Sequence, residues 1–295
     1  MKISDIYRQQ EQTFSFEFFP PKTDEGEKKL FETVHLLKGL FPSFVSVTYG
    51  AMGTTRDNTI RIVSVIKEEI GIEAAAHLTC VGQTRDEIEG VLGALWEQGI
   101  ENIVALRGDP PKGETEFKPV PGGFRYASEL VEFIRKHPTF SDSFSLAVAG
   151  YPECHVECRD KKKDLEHLKI KVGQGADVII TQLFFDNDDY FSFVDRVREA
   201  GIDLPIVPGI MPVTHGPQIK KFAEMCGAKI PPAMRDAIGR YGDDQDSVQS
   251  YGIEHASKQC EKLLKEGAPG IHFYTLNKSQ ATTEIYRNLG AARPK

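Results

Sequence analysis

Short runs of β-branched, aromatic and alternating apolar residues recur along this chain, and most are followed by a longer stretch whose apolar residues return every third or fourth position. Period two marks strands, and the 3.6-residue period marks helices that bury one face. The short runs fall at 13–19, 43–49, 73–79, 102–107, 143–151, 177–184, 205–210 and 270–276. Between them, helical periodicity predicts helices over 25–40, 84–98, 126–136, 160–174 and 188–200, with Thr84 and Glu87 spaced as a capping box. Strand and helix alternating from end to end indicate an α/β protein built of right-handed βαβ units, and eight strands are the number that closes a (β/α)₈ TIM barrel. Two connections are longer than average. A Pro- and Gly-rich loop at 109–125 reads either as a cover over the strand ends or as a tolerated insertion, and the cover is the reading preferred. The stretch between strands seven and eight has room for two or three extra helices, including 216–226 and 245–266. No linker or composition shift divides the chain, so residues 1–295 are expected to form a single barrel domain.

Composition narrows the function classes. With 295 residues, 40% hydrophobic and 27% charged, the chain can bury a large core. A net charge of −7 and a pI near 5.7 argue against a nucleic-acid surface. The first twelve residues are polar, with no apolar core of a signal peptide, and no run approaches a membrane span, so the expectation is a cytoplasmic protein with no membrane contact. Five cysteines, an odd number widely spaced, suit reduced thiols better than a disulfide framework. Cys154 and Cys158 frame a His, but no second pair at ligand spacing completes a metal site.

The position that most needs a reason is Glu17, set among Phe14, Phe16, Phe18 and Phe19 just before Pro20-Pro21. Alternation places it opposite the three phenylalanines Phe14, Phe16 and Phe18, near the strand's C-terminal end. Aromatic surroundings are expected to raise its pKa, so that it carries a proton near neutrality, the alternative being a chance polar residue on an edge strand. The other strands also end in polar residues: Thr48 and Tyr49, His77 and Thr79, Arg107 and Asp109, Tyr151 and His155, Gln182, and Tyr274 with Asn277. In a barrel these ends converge on the rim that carries the chemistry. Ala105 and Arg107 take the face opposite Val104 and Leu106, and Ala147, Ala149 and Tyr151 the face opposite Leu146 and Val148. Each has a plain structural reading too, a strand-end ion pair for Arg107 and Asp109, a buried paired ring for His272. Dinucleotide-binding, Walker, nucleophile-elbow and zincin motifs are all missing, so a nucleotide cofactor would have to be held in another way.

Taken in order, Phe16-Glu17-Phe18-Phe19-Pro20-Pro21, Val45-Ser46-Val47-Thr48-Tyr49-Gly50, His77-Leu78-Thr79-Cys80, Ala105-Leu106-Arg107-Gly108-Asp109, Tyr151-Pro152-Glu153, Thr181-Gln182-Leu183-Phe184-Phe185-Asp186, Pro208-Gly209-Ile210-Met211-Pro212 and His272-Phe273-Tyr274-Thr275-Leu276-Asn277 make the chain resemble the bacterial, catalytic-domain-only methylenetetrahydrofolate reductases. The resemblance runs essentially end to end. It implies an FAD-containing barrel that reduces 5,10-methylenetetrahydrofolate to 5-methyltetrahydrofolate with NADH or NADPH by ping-pong kinetics, and a homo-oligomer. It further implies Glu17 as general acid and Asp109 as the charge beside flavin and pterin. Flavin contacts are implied for Thr48, Tyr49, Ala51, His77, Arg107, Gly108, Asp109, Tyr126, Ala127, Tyr151, His155, Asp164 and Lys171. Folate contacts are implied for Gln182, Gln218, Phe222 and Lys278. Three positions depart from the family pattern: Lys278 stands where Arg is common, His167 replaces an Asn, and Ile170 replaces a basic residue, although Lys169 and Lys171 flank it. Two rival readings remain, a metal-dependent barrel hydrolase with Glu17, His77, Asp109 and His155 as ligands, and a folate-binding module without catalysis.

Overall fold

The computed structural model describes residues 1–49, 53–110, 113–114 and 116–290, with the side chains of 53–56 excepted. Its strands are β1 (Thr13–Phe18), β2 (Phe44–Val47), β3 (Ala74–Thr79), β4 (Asn102–Leu106), β5 (Ser145–Gly150), β6 (Val178–Thr181), β7 (Ile206–Val207), β8 (Gly209–Ile210) and β9 (Gly270–Tyr274). All pair in parallel in the order β7-β6-β5-β4-β3-β2-β1-β9-β8. The predicted seventh strand is therefore two. Pro208 has no N–H to offer a ladder, and the chain steps there from β6 as partner to β9: Ile206 pairs with Ile179, Gly209 with His272. The nine strands form a nearly closed barrel with helices outside, as the eight-strand pattern predicts.

The helices are α1 (Ile3–Gln9), α2 (Asp24–Lys38), α3 (Gly53–Val65), α4 (Arg85–Glu97), α5 (Ala127–Lys136), α6 (Lys161–Gly173), α7 (Asn187–Glu199), α8 (Gly216–Cys226), α9 (Pro232–Tyr241), α10 (Gln245–Lys265) and α11 (Gln280–Asn288), with one π-helical turn at Ile66–Ile70. Helices α8, α9 and α10 occupy the long connection before β9. Each strand buries both faces. Phe14, Phe16 and Phe18 of β1 pack outward with Val45, Val47, Ala105, Leu146 and Val148 into the layer between sheet and helices. A separate cluster inside the ring takes Phe44, Ala75, Val104, Ala147, Val178, Ile180 and Val207 from β2 to β7, joined by Ile3 and Ile6 of α1. Helix α1 thus seals one mouth: Ile3 N–H donates to Asn102 Oδ1 (2.7 Å) and Ser4 N–H to Ser145 Oγ (3.1 Å), at the first residues of β4 and β5. The opposite mouth, at the C-terminal strand ends, lies beyond Glu17 and His77.

This layering corrects one expectation. Val104 and Leu106, not Ala105, face the interior of β4, so strict alternation would send Arg107 outward. The strand ends at Leu106 and Arg107 is placed instead by its ion pair with Glu157.

Candidate active site

Glu17 points into the barrel near the open mouth, and 18% of its side chain still meets solvent. Its Oε2 lies 3.3 Å from His77 Nε2 and 3.3 Å from His272 Nε2. Parallel register explains both contacts, because Glu17 stands beside Ser46 of β2 and Tyr274 of β9, with only β2 between it and His77 of β3, and one residue pair above His272. The rings are themselves held: His77 Nε2 is 3.3 Å from Ser46 Oγ, and His272 Nδ1 is 2.7 Å from Ser15 Oγ. Burial pushes the Glu17 carboxyl up, but the charge of His77 and hydrogen bonds from His272 and His77 outweigh it and bring the group down to about 2. The expected rise is thus reversed. The phenylalanines of β1 face the other way, and imidazoles, not aromatic carbons, contact the carboxylate.

A second group gathers at the ends of β4 and β5. Arg107 grips Glu157 with both guanidinium nitrogens at 2.6 Å and stacks on Phe117 at 4.9 Å, which ties the loop after β4 to the rim. Gly108 adopts φ +87°, and a Cβ there would stand 2.7 Å from Val81 Cγ1, so only glycine turns the chain this closely. Tyr151 and His155 meet edge to face at 4.8 Å. Burial lowers His155, helped by Arg107, and burial raises Tyr151 and Asp164. Lys171 reaches in from α6, donates to Ala149 O at 2.5 Å, and is brought down by burial to about 8. Asp109 follows Gly108 at the end of β4 and acts electrostatically on Arg107, on Tyr151 and on Cys226 of α8.

Tyr274 joins the two groups. Its hydroxyl donates to Thr181 O at 2.6 Å, and its ionisation is opposed by burial first and then by Glu17, Cys226 and Tyr151. Gly209 makes room for this ring, since a Cβ there would sit 2.6 Å from it. Gln182 follows β6, with its Oε1 accepting from Leu183 N–H at 2.8 Å. Gln218 and Phe222, half-buried, share one face of α8, and Phe222 packs on a cluster that includes Leu183 and Met211.

Other expected residues stand further out. Tyr126 stands at the residue before α5 with 51% of its surface exposed, Ala127 begins that helix, and Lys278 is exposed beyond β9. His167, Lys169 and Ile170 face solvent on α6. Thr48 accepts from Thr59 through its carbonyl at 3.0 Å, and Tyr49 donates to Gln83 Oε1 at 2.9 Å. Ala51 lies outside the described residues. Sequence reasoning missed Ser15, Ser46 and Gln83 as partners of site residues; only their inward parity on β1 and β2 signalled the two serines. Among the described residues no three His, Cys, Asp or Glu side chains are placed to hold one metal ion. The hydrolase reading thus has no ligand set there, and His155 belongs to the Tyr151 group. Nor is any described helix long and apolar enough to cross a membrane.

The rim has features of a cradle for a large polar cofactor. Thr79 Oγ1 is buried without a hydrogen-bond partner, Gly108 turns the backbone without a side chain, and Lys171 offers a desolvated cation. These suit a flavin dinucleotide, whose ring edge and phosphates seek such donors.

The family model for methylenetetrahydrofolate reductase matches residues 2–290. The Arabidopsis thaliana methylenetetrahydrofolate reductase (NADH) 1 is 41% identical over 98% of this chain and 50% of its own length. The Escherichia coli 5,10-methylenetetrahydrofolate reductase is 43% identical over 94% of this chain and 90% of its own. The chain therefore spans about half the length of the plant relative. Among solved structures, an uncharacterized protein from Clostridium thermocellum that binds two copies of 5-methyl-5,6,7,8-tetrahydrofolic acid superposes with a TM-score of 0.65 over 98% of both chains at 14% identity, a likeness of fold.

Proposed function

Because this chain belongs to the methylenetetrahydrofolate reductase family, we propose that it reduces 5,10-methylenetetrahydrofolate to 5-methyltetrahydrofolate, with NADH or NADPH as electron source and FAD as cofactor. The observation that carries the reading is the Glu17 carboxylate at the open mouth, bracketed by two imidazoles. FAD, when bound, supplies the hydride acceptor and donor. The cradle of Thr79, Gly108, Tyr151, His155 and Lys171 would hold it, with Asp164 balancing the lysine's charge. Gln182 and Phe222 flank the mouth where a pterin would lie, an amide for its polar edge and a phenyl for its face.

Opening the folate five-membered ring needs a proton on N10, and the cation so formed needs a negative neighbour. Glu17 serves as the donor. In the open site its imidazole partners keep it ionised against the upward push of burial, so the role of donor requires that a proton be taken up together with the substrate. Asp109, on the Tyr151 side of the mouth, stabilises the cation. The test separates the half-reactions: anaerobic FAD-loaded protein is mixed with NADH, then with methylenetetrahydrofolate, and flavin absorbance is followed. Glu17→Gln is expected to slow flavin reoxidation by folate by about 10²–10⁴-fold while bleaching by NADH persists. Equal loss in both halves would remove Glu17 from the role of donor.

A further inference from the structure

His272 is a fully buried ring whose two nitrogens are both committed. It pairs with Ser15 across β1 and β9, and this register aims it at two inward side chains of β1, Ser15 Oγ at 2.7 Å from Nδ1 and Glu17 Oε2 at 3.3 Å from Nε2. Phe44 stacks on one face at 6.2 Å, and Tyr274 meets it edge-on at 5.4 Å, so the ring has one orientation. A hydroxyl can give or take a hydrogen bond, whereas a carboxylate can only take. The nitrogen facing ionised Glu17 must therefore carry the hydrogen, and Ser15 can supply the matching donor to Nδ1. His77 brings a second Nε2 to the same Oε2, and no hydrogen bond from a described residue reaches Oε1.

We propose that His272, its tautomer held by Ser15, is a positioning residue that makes Glu17 a stronger proton donor: it anchors Oε2, turns Oε1 to the substrate, and stabilises the carboxylate left when the proton has gone. The inference rests on the folate-reducing reading given above. In the step itself the O–H bond at Glu17 Oε1 breaks as an N–H bond forms on the folate nitrogen. The electron pair stays on the carboxylate, and neither His272 nor Ser15 loses a proton. The titratable groups facing Glu17 are His77 from β3 and His272 and Tyr274 from β9; those facing His272 are Glu17 and Tyr274.

The experiment is the pH profile of flavin reoxidation by methylenetetrahydrofolate in FAD-loaded wild type, His272→Asn, His272→Gln and Ser15→Ala. Asn reaches only the Nδ1 position, whereas Gln carries an amide N–H to about the Nε2 position. His272→Asn is expected to lower the ratio of folate to NADH half-reaction rates at least about 30-fold at pH 7 and to move the alkaline limit up by about one pH unit, because an unanchored Glu17 holds its proton longer. His272→Gln should recover most of the ratio, and Ser15→Ala should shift the limit the same way by less. Asn and Gln variants that lose rate equally at every pH, with the limit unmoved in Ser15→Ala, would overturn the proposal and leave His272 a packing residue. A wild type that bleaches with NADH yet never reoxidises with folate would instead overturn the functional reading on which it rests.

Discussion

At the scale of single residues, the pairing of Glu17 has a consequence for stability as well as for chemistry. Its carboxyl sits at about 2 in the folded protein against an ordinary 4.5. A depressed acid stabilises the fold above its unfolded value and loses that contribution as pH falls toward its folded one. The window is therefore about pH 4.5 down to 2. Glu17→Gln has nothing to lose there. Its urea midpoint should fall less steeply than wild type as pH drops below 4.5, and parallel curves would mean that the imidazoles do not stabilise the carboxylate. The oddity of Glu17 was legible in the sequence, because a carboxylate beside four phenylalanines breaks a pattern. The sign of its pKa shift was not. Alternation reports which face of its own strand a residue takes, whereas the shift is set by His77 and His272, and the latter lies 255 positions away. Arg107 is a second case: its partner Glu157 is 50 residues on, in a loop whose path no periodicity encodes.

At the scale of elements, the start of α4 shows a local signal read correctly and put to a wider use. Thr84 Oγ1 accepts from Glu87 N–H at 3.3 Å while Glu87 Oε2 accepts from Thr84 N–H at 2.8 Å, the capping box expected from their spacing. The same turn holds the end of the Pro- and Gly-rich loop: Thr84 bridges Gly123, Arg85 N–H donates to Gly122 O at 3.2 Å, and the Arg85 guanidinium lies 4.9 Å from the Phe124 ring. Thr84→Ala should cost about 1 kcal/mol in urea unfolding, and Thr84→Ser far less, since the hydroxyl is what caps. Equal losses would assign the cost to the methyl group's packing. Strand positions were legible because period two and the β-branched runs are local properties, and their ends were overdrawn because flanking residues remain apolar where the ladder stops. The break at Pro208 was written in the sequence as a missing N–H, but its effect, a change of neighbour, belongs to the ring. Helix α1 was not legible: seven residues with only Ile3, Ile6 and Tyr7 apolar carry too little pattern.

At the scale of the whole molecule, a ring of parallel strands has two mouths, and this protein closes one to leave chemistry at the other. The closure depends on Asn102, which is wholly buried at the start of β4. Its oxygen accepts from Ile3 N–H at 2.7 Å, and its amide nitrogen faces three acceptors: Met1 O at 3.1 Å, Glu73 Oε1 at 3.1 Å and Ala74 O at 3.4 Å. Glu73 is in turn bound by Lys67 and by the Met1 amino group, so α1, β3 and β4 meet at one polar knot beneath the apolar cluster of Ile3, Ile6 and Phe44. Removing the amide strands the Ile3 N–H and uncovers Glu73, and Asn102→Ala should destabilise by about 2–3 kcal/mol. Asn102→Asp keeps the shape and the acceptor for Ile3 but sets a carboxylate against three other acceptors, so it should cost at least as much despite its near-identical volume. Both losses would be read as shifts in urea midpoint. Because the knot and the open mouth lie at opposite ends of the strands, the rate of flavin reoxidation per folded molecule should stay within about twofold of wild type in both variants. An aspartate variant as stable as wild type would show that the knot is held by shape and not by the direction of its hydrogen bonds, and a large loss of rate in a folded variant would show that the two mouths are coupled through the barrel.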